Sequence, residues 1–193
     1  MEEYKLNSND YILFMRSFLH SPKNVGSIIP SSRFLANNMV NHAPWFEAKA
    51  VAELGSGTGA ITRYIYSKVH DSTKVLLFEM DEMMRNNLQR AYPESICFPN
   101  AAHLVDSMKQ ENIEQLDVIF SGLPFFNFEP ELRNTLVDQI HKALKPGGLF
   151  IAFQYSLQMK KTLSKHFSIE KIELVPLNIP AAFVYVCRKK ETI

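Results

Sequence analysis

The residues in this chain that could do chemistry are few and closely spaced. Val51-Ala52-Glu53-Leu54 is an apolar run holding one acid, and it breaks into Gly55-Ser56-Gly57-Thr58-Gly59, three glycines at alternate positions. A run of this kind reads as a buried strand. Glycines after it let bare backbone approach a ligand, because glycine tolerates positive φ and has no Cβ. A helix opening near Ala60 would aim its free N–H groups at the crevice beyond the strand's carboxyl end, where open α/β sheets bind nucleotides. The Gly-x-Gly-x-Gly spacing differs from the dinucleotide fingerprint, so a pyrophosphate is not the guest it indicates. A second apolar strand, Lys74-Val75-Leu76-Leu77-Phe78, ends in Glu79, twenty residues past Gly59, where a carboxylate reaches ribose hydroxyls. Strand, glycines, helix, strand and acid in that order indicate a nucleoside site.

A second candidate segment is Asp117-Val118-Ile119-Phe120-Ser121-Gly122-Leu123-Pro124-Phe125-Phe126-Asn127-Phe128. It reads as a fourth strand ending near Phe120 or Ser121, followed by a turn that Gly122 and Pro124 fix beside the glycine loop. The three phenylalanines have two readings. They are core, as aromatics commonly are, or they offer faces to a cation such as a methylated ammonium, each contact worth about 0.5–2 kcal/mol.

The elements that must position these residues can be followed in order. Ser8 or Asn9 caps a helix over Tyr11–Leu19, whose stripe of Tyr11, Phe14, Met15 and Phe18 is widened by Ile12 and Leu19. That helix either packs over the sheet as a lid or lies partly among lipid headgroups, with Arg16, Lys23 and Arg33 near phosphates. Residues 1–50 hold five Lys or Arg and four Asp or Glu, so any membrane contact is weak and reversible. Pro22, Gly26 and Pro30 then break a loop that either closes over a nucleoside or simply connects. Ser31 or Ser32 caps a helix that leans Phe34, Leu35 and Met39 on the core. Asp81 caps a helix from Glu82 to about Ala91, stopped by Pro93, and a third strand, Ser95–Phe98, leads to Asn100-Ala101. A helix from about Pro130 to Leu144 stops at Lys145-Pro146-Gly147-Gly148, before a fifth strand, Leu149–Phe153. A short helix near Gln158–Lys165 and two strands, Ser168–Val175 and Ala182–Arg188, follow.

Seven strands with interleaved helices predict an α/β fold: a Rossmann-like doubly wound sheet with one antiparallel edge strand, plus N-terminal helices. With 193 residues the chain makes one domain, a lid and membrane-contact segment over 1–45 and an α/β core over 46–193. A net charge of +1 argues against broad phosphate neutralisation, so no nucleic acid partner is expected. No run of eighteen apolar residues could span a bilayer. Cys97 and Cys187 fall in strands and read as reduced, buried thiols of a cytoplasmic protein, and the six histidines lack ligand spacing, so no metal is implied. The sequence sets no oligomeric state.

The glycine run and Glu79 resemble motif I and the following acidic position of the class I S-adenosylmethionine-dependent methyltransferases. The resemblance implies that Gly55, Ser56, Gly57, Thr58 and Gly59 pack against the amino-acid portion of S-adenosylmethionine. It puts Glu53 near the cofactor's ammonium or the loop amides, and Glu79 and Met80 at the ribose. In many members an Asp-Ala pair follows the third strand and its carboxylate binds the adenine amino group. Here Asn100-Ala101 stands there; an amide oxygen accepts the same bond without charge assistance, and a surface-loop asparagine is the other reading. Ser121-Gly122-Leu123-Pro124, with Val25–Ser32 and Asn178–Val186, is similar to the bacterial phospholipid N-methyltransferases. It is more distantly similar to the Asn-Leu-Pro-Phe/Tyr motif of the ribosomal RNA adenine dimethyltransferases. The likeness covers nearly the whole chain and departs at Asn100 and at Ala181, where a second proline is expected.

This resemblance implies methylation of phosphatidylethanolamine toward phosphatidylcholine, with S-adenosylhomocysteine as product, by a cytoplasmic protein peripheral to the inner face of the membrane. Substrate chemistry falls to Ser121, Gly122, Leu123, Pro124 and Phe125. No histidine or carboxylate lies within residues 121–128, so proton acceptors are sought in Tyr11, Glu53 and Tyr185. The alternatives are an RNA adenine N6-methyltransferase, a small-molecule amine methyltransferase and a nucleoside-binding protein without activity. The near-zero charge, and the strands that occupy the chain after Gly148, weigh against RNA.

Overall fold

The computed structural model describes residues 33–190. The helix expected over Tyr11–Leu19, the loop through Ser32 and Tyr11 itself lie outside the described residues. The elements are α1 (Arg33–Asn41), β1 (Ala50–Leu54), α2 (Thr62–Tyr66), β2 (Lys74–Phe78), α3 (Glu82–Ala91), β3 (Ile96–Phe98), α4 (Leu104–Gln110), β4 (Leu116–Ser121), α5 (Pro130–Ala143), β5 (Leu144–Gln154), α6 (Lys160–His166), β6 (Phe167–Val175) and β7 (Ala182–Lys189). Short 3-10 turns at Ala101–His103 and Phe125–Asn127 follow β3 and β4.

The strands form one seven-stranded sheet in the order β3-β2-β1-β4-β5-β7-β6. β1 to β5 pair in parallel, and β7 is antiparallel to both β5 and β6. The antiparallel edge therefore takes the form of a hairpin whose second strand, β7, inserts beside β5 and leaves β6 outermost. Every residue of β1 and β4 is buried, as befits central parallel strands covered on both faces. Val51, Val75, Val118, Phe120, Ile151 and Val184 point to one face, in a single core with Leu35, Met39 and Val40 of α1, Ile65 of α2 and Leu88 of α3. Strand alternation turns Leu54, Phe78, Ile119 and Phe150 to the other face, the side of α4, α5 and α6. The compact unit begins at residue 31 and so includes α1, read from the sequence as part of the lid segment.

Several boundaries differ from expectation for physical reasons. α2 opens at Thr62 and not near Ala60, because Gly57 and Gly59 hold positive φ of 55° and 82°, which an α-helix does not accept. On α1 the buried positions are Leu35, Ala36, Met39 and Val40, and this phase turns Phe34 outward. Lys145-Pro146-Gly147-Gly148 does not separate helix from strand. Leu144 already pairs with Leu116, and a bulge carries the segment along β4. Lys145 Nζ sits 2.5 Å from Asp117 Oδ1, while Asp117 Oδ2 accepts the N–H groups of Lys49 and Ala50 at 2.7 and 2.9 Å. That carboxylate ties the amino ends of β1, β4 and β5 together. Asp81 caps α3 as the sequence indicates, accepting the Met84 N–H at 2.9 Å. Cys97 and Cys187 are both free, on β3 and β7 with four strands between them, and burial pushes the Cys187 thiol up to about 12.

α1 is tied to the outermost strand by Glu173. Its carboxylate pairs with Lys171 and accepts from Asn38 Nδ2 at 2.8 Å, with His42 Nε2 also at 2.8 Å, and these partners hold its pKa at about 2. A carboxyl whose pKa is depressed from 4.5 stabilises the fold above that value and loses its contribution as pH falls toward 2. Glu173→Ala is expected to lower the unfolding free energy at neutral pH by about 1 kcal/mol, the partners being partly solvated. Urea titrations at a series of acidic pH values should show the gap from the unaltered protein closing.

Candidate active site

The site is built where β1 and β4 emerge side by side. Gly122 donates its N–H to the Leu54 carbonyl at 2.9 Å. A Cβ on Gly55 would lie 2.8 Å from Leu123 Cδ2, and one on Gly122 would lie 3.2 Å from the Gly55 carbonyl oxygen. The two loops thus interlock backbone against backbone, and Gly55 is further required by its φ of 77°. The N–H groups of Gly55 and Ser56 both donate to the Phe78 carbonyl, at 2.8 and 3.1 Å, which binds the loop to the end of β2. Gly57 is different in kind. A Cβ there would meet nothing within 4 Å, so the apex of the loop offers bare backbone to open space.

Glu79, buried at the end of β2, faces that apex. Its Oε2 accepts the Gly57 N–H at 2.8 Å and its Oε1 the Asp81 N–H at 2.9 Å. Burial raises its pKa, and the two N–H groups work against that rise. Met80 follows, half-buried, its carbonyl accepting from Arg85 at 3.1 Å. Beyond β3, Asn100 Oδ1 accepts the Ala102 N–H at 2.9 Å and caps the 3-10 turn that starts with the buried Ala101. Asn100, Glu79, the glycine loop and Gly122 follow one another along a single rim, in the order of β3, β2, β1 and β4.

Beneath the glycine loop lies Glu53, 1% exposed on β1. Its Oε2 accepts from the Thr62 hydroxyl at 2.6 Å, and its Oε1 has no partner. Burial, aided by the Glu79 charge, pushes its pKa up to about 8, so it is predominantly neutral at pH 7.

The acceptor turn departs from expectation in its aromatics. Phe125 does not face the crevice. It is 1% exposed and packs edge-on against Phe128 and Phe150, because the 3-10 turn rolls it back onto the α5 side of the sheet. The exposed ring is Phe126, with the Arg133 guanidinium 5.9 Å from its centroid. Ser121 is fully buried, and its hydroxyl accepts the Leu123 N–H at 3.2 Å, which makes it a turn-former. Leu123 is buried against Gly55, and Pro124 precedes the rolled segment half-buried. Tyr185 is buried, donates to the Ser156 carbonyl at 3.0 Å and is pushed up to about 12 by burial. A hydroxyl so held keeps its proton, which removes Tyr185 as an acceptor.

Sequence reasoning missed Phe153, Gln154 and Tyr155. Ser121 pairs with Ala152, so the residues that follow on β5 flank the Gly122 turn. Gln154 Nε2 donates to the Leu123 carbonyl at 2.9 Å, an oxygen that also accepts the Phe125 N–H at 2.9 Å. Phe153 Cε1 lies 3.4 Å from where a Gly122 Cβ would be, and the Phe153 and Tyr155 rings meet edge to face at 5.7 Å. The aromatic wall beside the turn comes from Phe153 on β5 and from Tyr155 just past it. Its signal was the aromatic pair at alternate positions closing the fifth strand.

A parallel sheet with a glycine loop after β1 and an acid after β2 defines a nucleoside-binding α/β protein. Residues 51–148 match the methyltransferase domain family, and the chain belongs to the class I S-adenosylmethionine-dependent methyltransferases, resembling the lipid N-methyltransferases within them. It is 31% identical over 185 residues to the ornithine lipid N-methyltransferase of Singulisphaera acidiphila, covering 93% of this chain and 96% of that protein. A ribosomal RNA small subunit methyltransferase A from a Hydrogenobaculum species is 26% identical over 123 residues, covering 64% of this chain and 46% of that protein. Among solved structures, the 1,6-didemethyltoxoflavin-N1-methyltransferase of Burkholderia thailandensis, with bound 1,6-didemethyltoxoflavin and S-adenosylhomocysteine, superposes with a TM-score of 0.70 at 16% identity. That match covers 99% of this chain and 94% of the other. The expected enzyme class, an S-adenosylmethionine-dependent N-methyltransferase, and its cofactor stand with these relatives.

The three glycines and Glu53 separate into testable roles. Gly55→Ala, with a 2.8 Å clash and a positive φ, is expected to cost roughly 2–4 kcal/mol of stability, whereas Gly57→Ala costs about 1 kcal/mol and chiefly weakens S-adenosylhomocysteine binding. Denaturation and calorimetric titration of both variants check this. For Glu53, both folded and unfolded chains carry the proton below about pH 4.5; above it only the unfolded chain ionises freely, so the fold loses stability as pH rises to about 8. Glu53→Gln is therefore expected to stabilise the free protein by roughly 1–3 kcal/mol near pH 8, a gain that fades toward about pH 5.

Proposed function

We propose that this enzyme methylates the amino group of a membrane lipid headgroup, phosphatidylethanolamine toward phosphatidylcholine, at the membrane surface. The observation that carries the reading is the extent of the likeness to a lipid N-methyltransferase. It runs over 93% of the chain and so reaches well beyond residues 51–148, the part shared with methyltransferase domains at large. The name of that relative brings ornithine lipid as a second headgroup of the same chemical kind, a primary amine on an acylated molecule. Among the described residues no helix is long and apolar enough to cross a membrane. Surface contact, including the weak, reversible contact proposed for the helix over residues 11–19, is the form of association this reading requires.

The residues present fit the cofactor. The bare apex at Gly57, flanked by Ser56 and Thr58, leaves room for its amino-acid portion, and the unpartnered Glu53 Oε1 supplies a polar atom under that loop. Glu79 accepts from two N–H groups and retains lone pairs for ribose hydroxyls, and Asn100, whose Oδ1 keeps a lone pair beyond the one taken by the Ala102 N–H, would with Ala101 read the adenine edge. When bound, S-adenosylmethionine supplies a methyl group on a positively charged sulfur, open to in-line displacement by an amine.

The chain's own part is to hold that amine and dry it. A lipid amine arrives as an ammonium and must lose a proton before it attacks. The Phe153 and Tyr155 rings and the Gly122 turn replace water around it, which lowers its pKa and lets the proton leave to solvent. The same rings attract the more methylated cations, so successive methylation uses one wall. Ser121 and Gln154 hold the turn in place through Leu123 and act as positioning residues.

Transfer of labelled methyl from S-adenosylmethionine should be followed on vesicles of phosphatidylethanolamine and of ornithine lipid, with ribosomal RNA in parallel. Label in methylated phosphatidylethanolamine, lost on Glu79→Ala and reduced about tenfold in kcat/KM on Phe153→Ala, is the expected result. Label confined to ornithine lipid would keep the lipid class and correct the headgroup. Label in RNA alone would overturn the proposal. Phe125→Ala is unsuited to this test, because emptying a buried aromatic site costs about 3–5 kcal/mol of stability.

A further inference from the structure

We propose that the apolar rim formed by the β5–α6 loop, the β6–β7 hairpin and Phe126 is the face that seats on the bilayer. The inference rests on the lipid reading of the acceptor. Nine large hydrophobic side chains are exposed among the described residues, and six of them, Phe126, Tyr155, Leu157, Leu174, Leu177 and Ile179, fall at or just beyond the carboxyl ends of β4, β5 and β6. Each of the six is between 47% and 68% exposed.

Strand direction places them. β7 is antiparallel to β5 and to β6, so β6 runs in the sense of β1 to β5, and its carboxyl end lies on the same side of the sheet as Gly57 and Gly122. Leu174, Leu177 and Ile179 at the hairpin, Tyr155 and Leu157 after β5, and Phe126 after β4 therefore flank the mouth of the site. The rim is held in place. Asn178, itself buried, donates its backbone N–H to the Val175 carbonyl and its side-chain amide to the Pro180 carbonyl at 2.8 Å, and hydrogen-bonds the Tyr155 side chain, linking both loops. Tyr185 fastens Ser156 from below at 3.0 Å.

The chemistry of the rim matches a phospholipid surface. Residues 174–182 contain no charged side chain, and Lys160 and Lys161, both exposed, stand three and four residues past Leu157. The nearest acid on β6, Glu173, is neutralised by Lys171. Apolar side chains beside a tyrosine and two lysines suit the boundary between acyl chains and phosphates. The acceptor's amine sits within a few bonds of that boundary, so the mouth of the site must come down to it, and this rim touches first.

The test uses the full chain with vesicles of phosphatidylethanolamine and phosphatidylglycerol, read by co-sedimentation, and methyl transfer to the same lipids in vesicles and in detergent. Leu177→Glu/Ile179→Glu is expected to lower vesicle partitioning about tenfold and to lose turnover on vesicles, while turnover on detergent-dispersed lipid stays within about twofold. Leu177→Ser/Ile179→Ser should give a smaller loss in the same direction. Phe46→Glu, at a residue 92% exposed just before β1 and hence at the opposite end of the sheet, should change nothing. Unaltered partitioning of the glutamate pair, an equal loss with Phe46→Glu, or an equal loss of turnover in detergent would each overturn the docking surface. An unaltered enzyme that binds vesicles through this rim but methylates no lipid would retain the surface and overturn the proposed acceptor.

Discussion

The close approach of two backbone segments, Gly55 after β1 and Gly122 after β4, is the constraint on which the rest depends. A carbonyl oxygen 3.2 Å from the position of a Cβ on Gly122, and a leucine methyl 2.8 Å from one on Gly55, disfavour a side chain at either of these two positions. Because the strands emerge side by side, the glycine loop after β1 and the Gly122 turn after β4 share one wall. The Gly122 N–H on the Leu54 carbonyl fixes this junction, and Gln154 on β5 secures its far side through Leu123.

Around that junction the protein has buried two carboxyls at very different levels of satisfaction. Glu79 has a backbone N–H on each oxygen; Glu53 has a single hydroxyl on one and nothing on the other. An unsatisfied acid in a close-packed strand is a local cost that packing elsewhere offsets, and such costs gather at sites where a ligand completes the set. The amino end of the same sheet shows the contrast. Asp117 there is filled by Lys145, Lys49 and Ala50 and holds strands together without any vacancy to complete.

What could be read from the sequence was whatever rests on local signals. The β1 and β2 strands, the Asp81 cap and the glycine apex each follow from a few adjacent residues, and the structure places them within a residue or two. The failures share a cause in non-local pairing. Phe125 is buried because the 3-10 turn meets Phe150 on a strand 25 positions later, and β5 begins at Leu144 because Leu116 is there to pair with it. Phe153 and Gln154 enter the site only through the alignment of Ala152 with Ser121. Tyr185 is one of three candidate proton acceptors in the sequence, and its hydroxyl donates to the Ser156 carbonyl, 29 positions away.

The position of β7 has a consequence for how the molecule is made. β6 has no sheet neighbour other than β7, and β7 is the last strand in the described residues. As the chain leaves the ribosome, β1 to β5 can pair in the order they appear, but residues 167–175 must wait for residues 182–189 before any ladder can form on them. The strands that carry the glycine loop and the Gly122 turn can thus pair while the hairpin is still unbuilt. The outer hairpin is therefore the last part of the described sheet to be made.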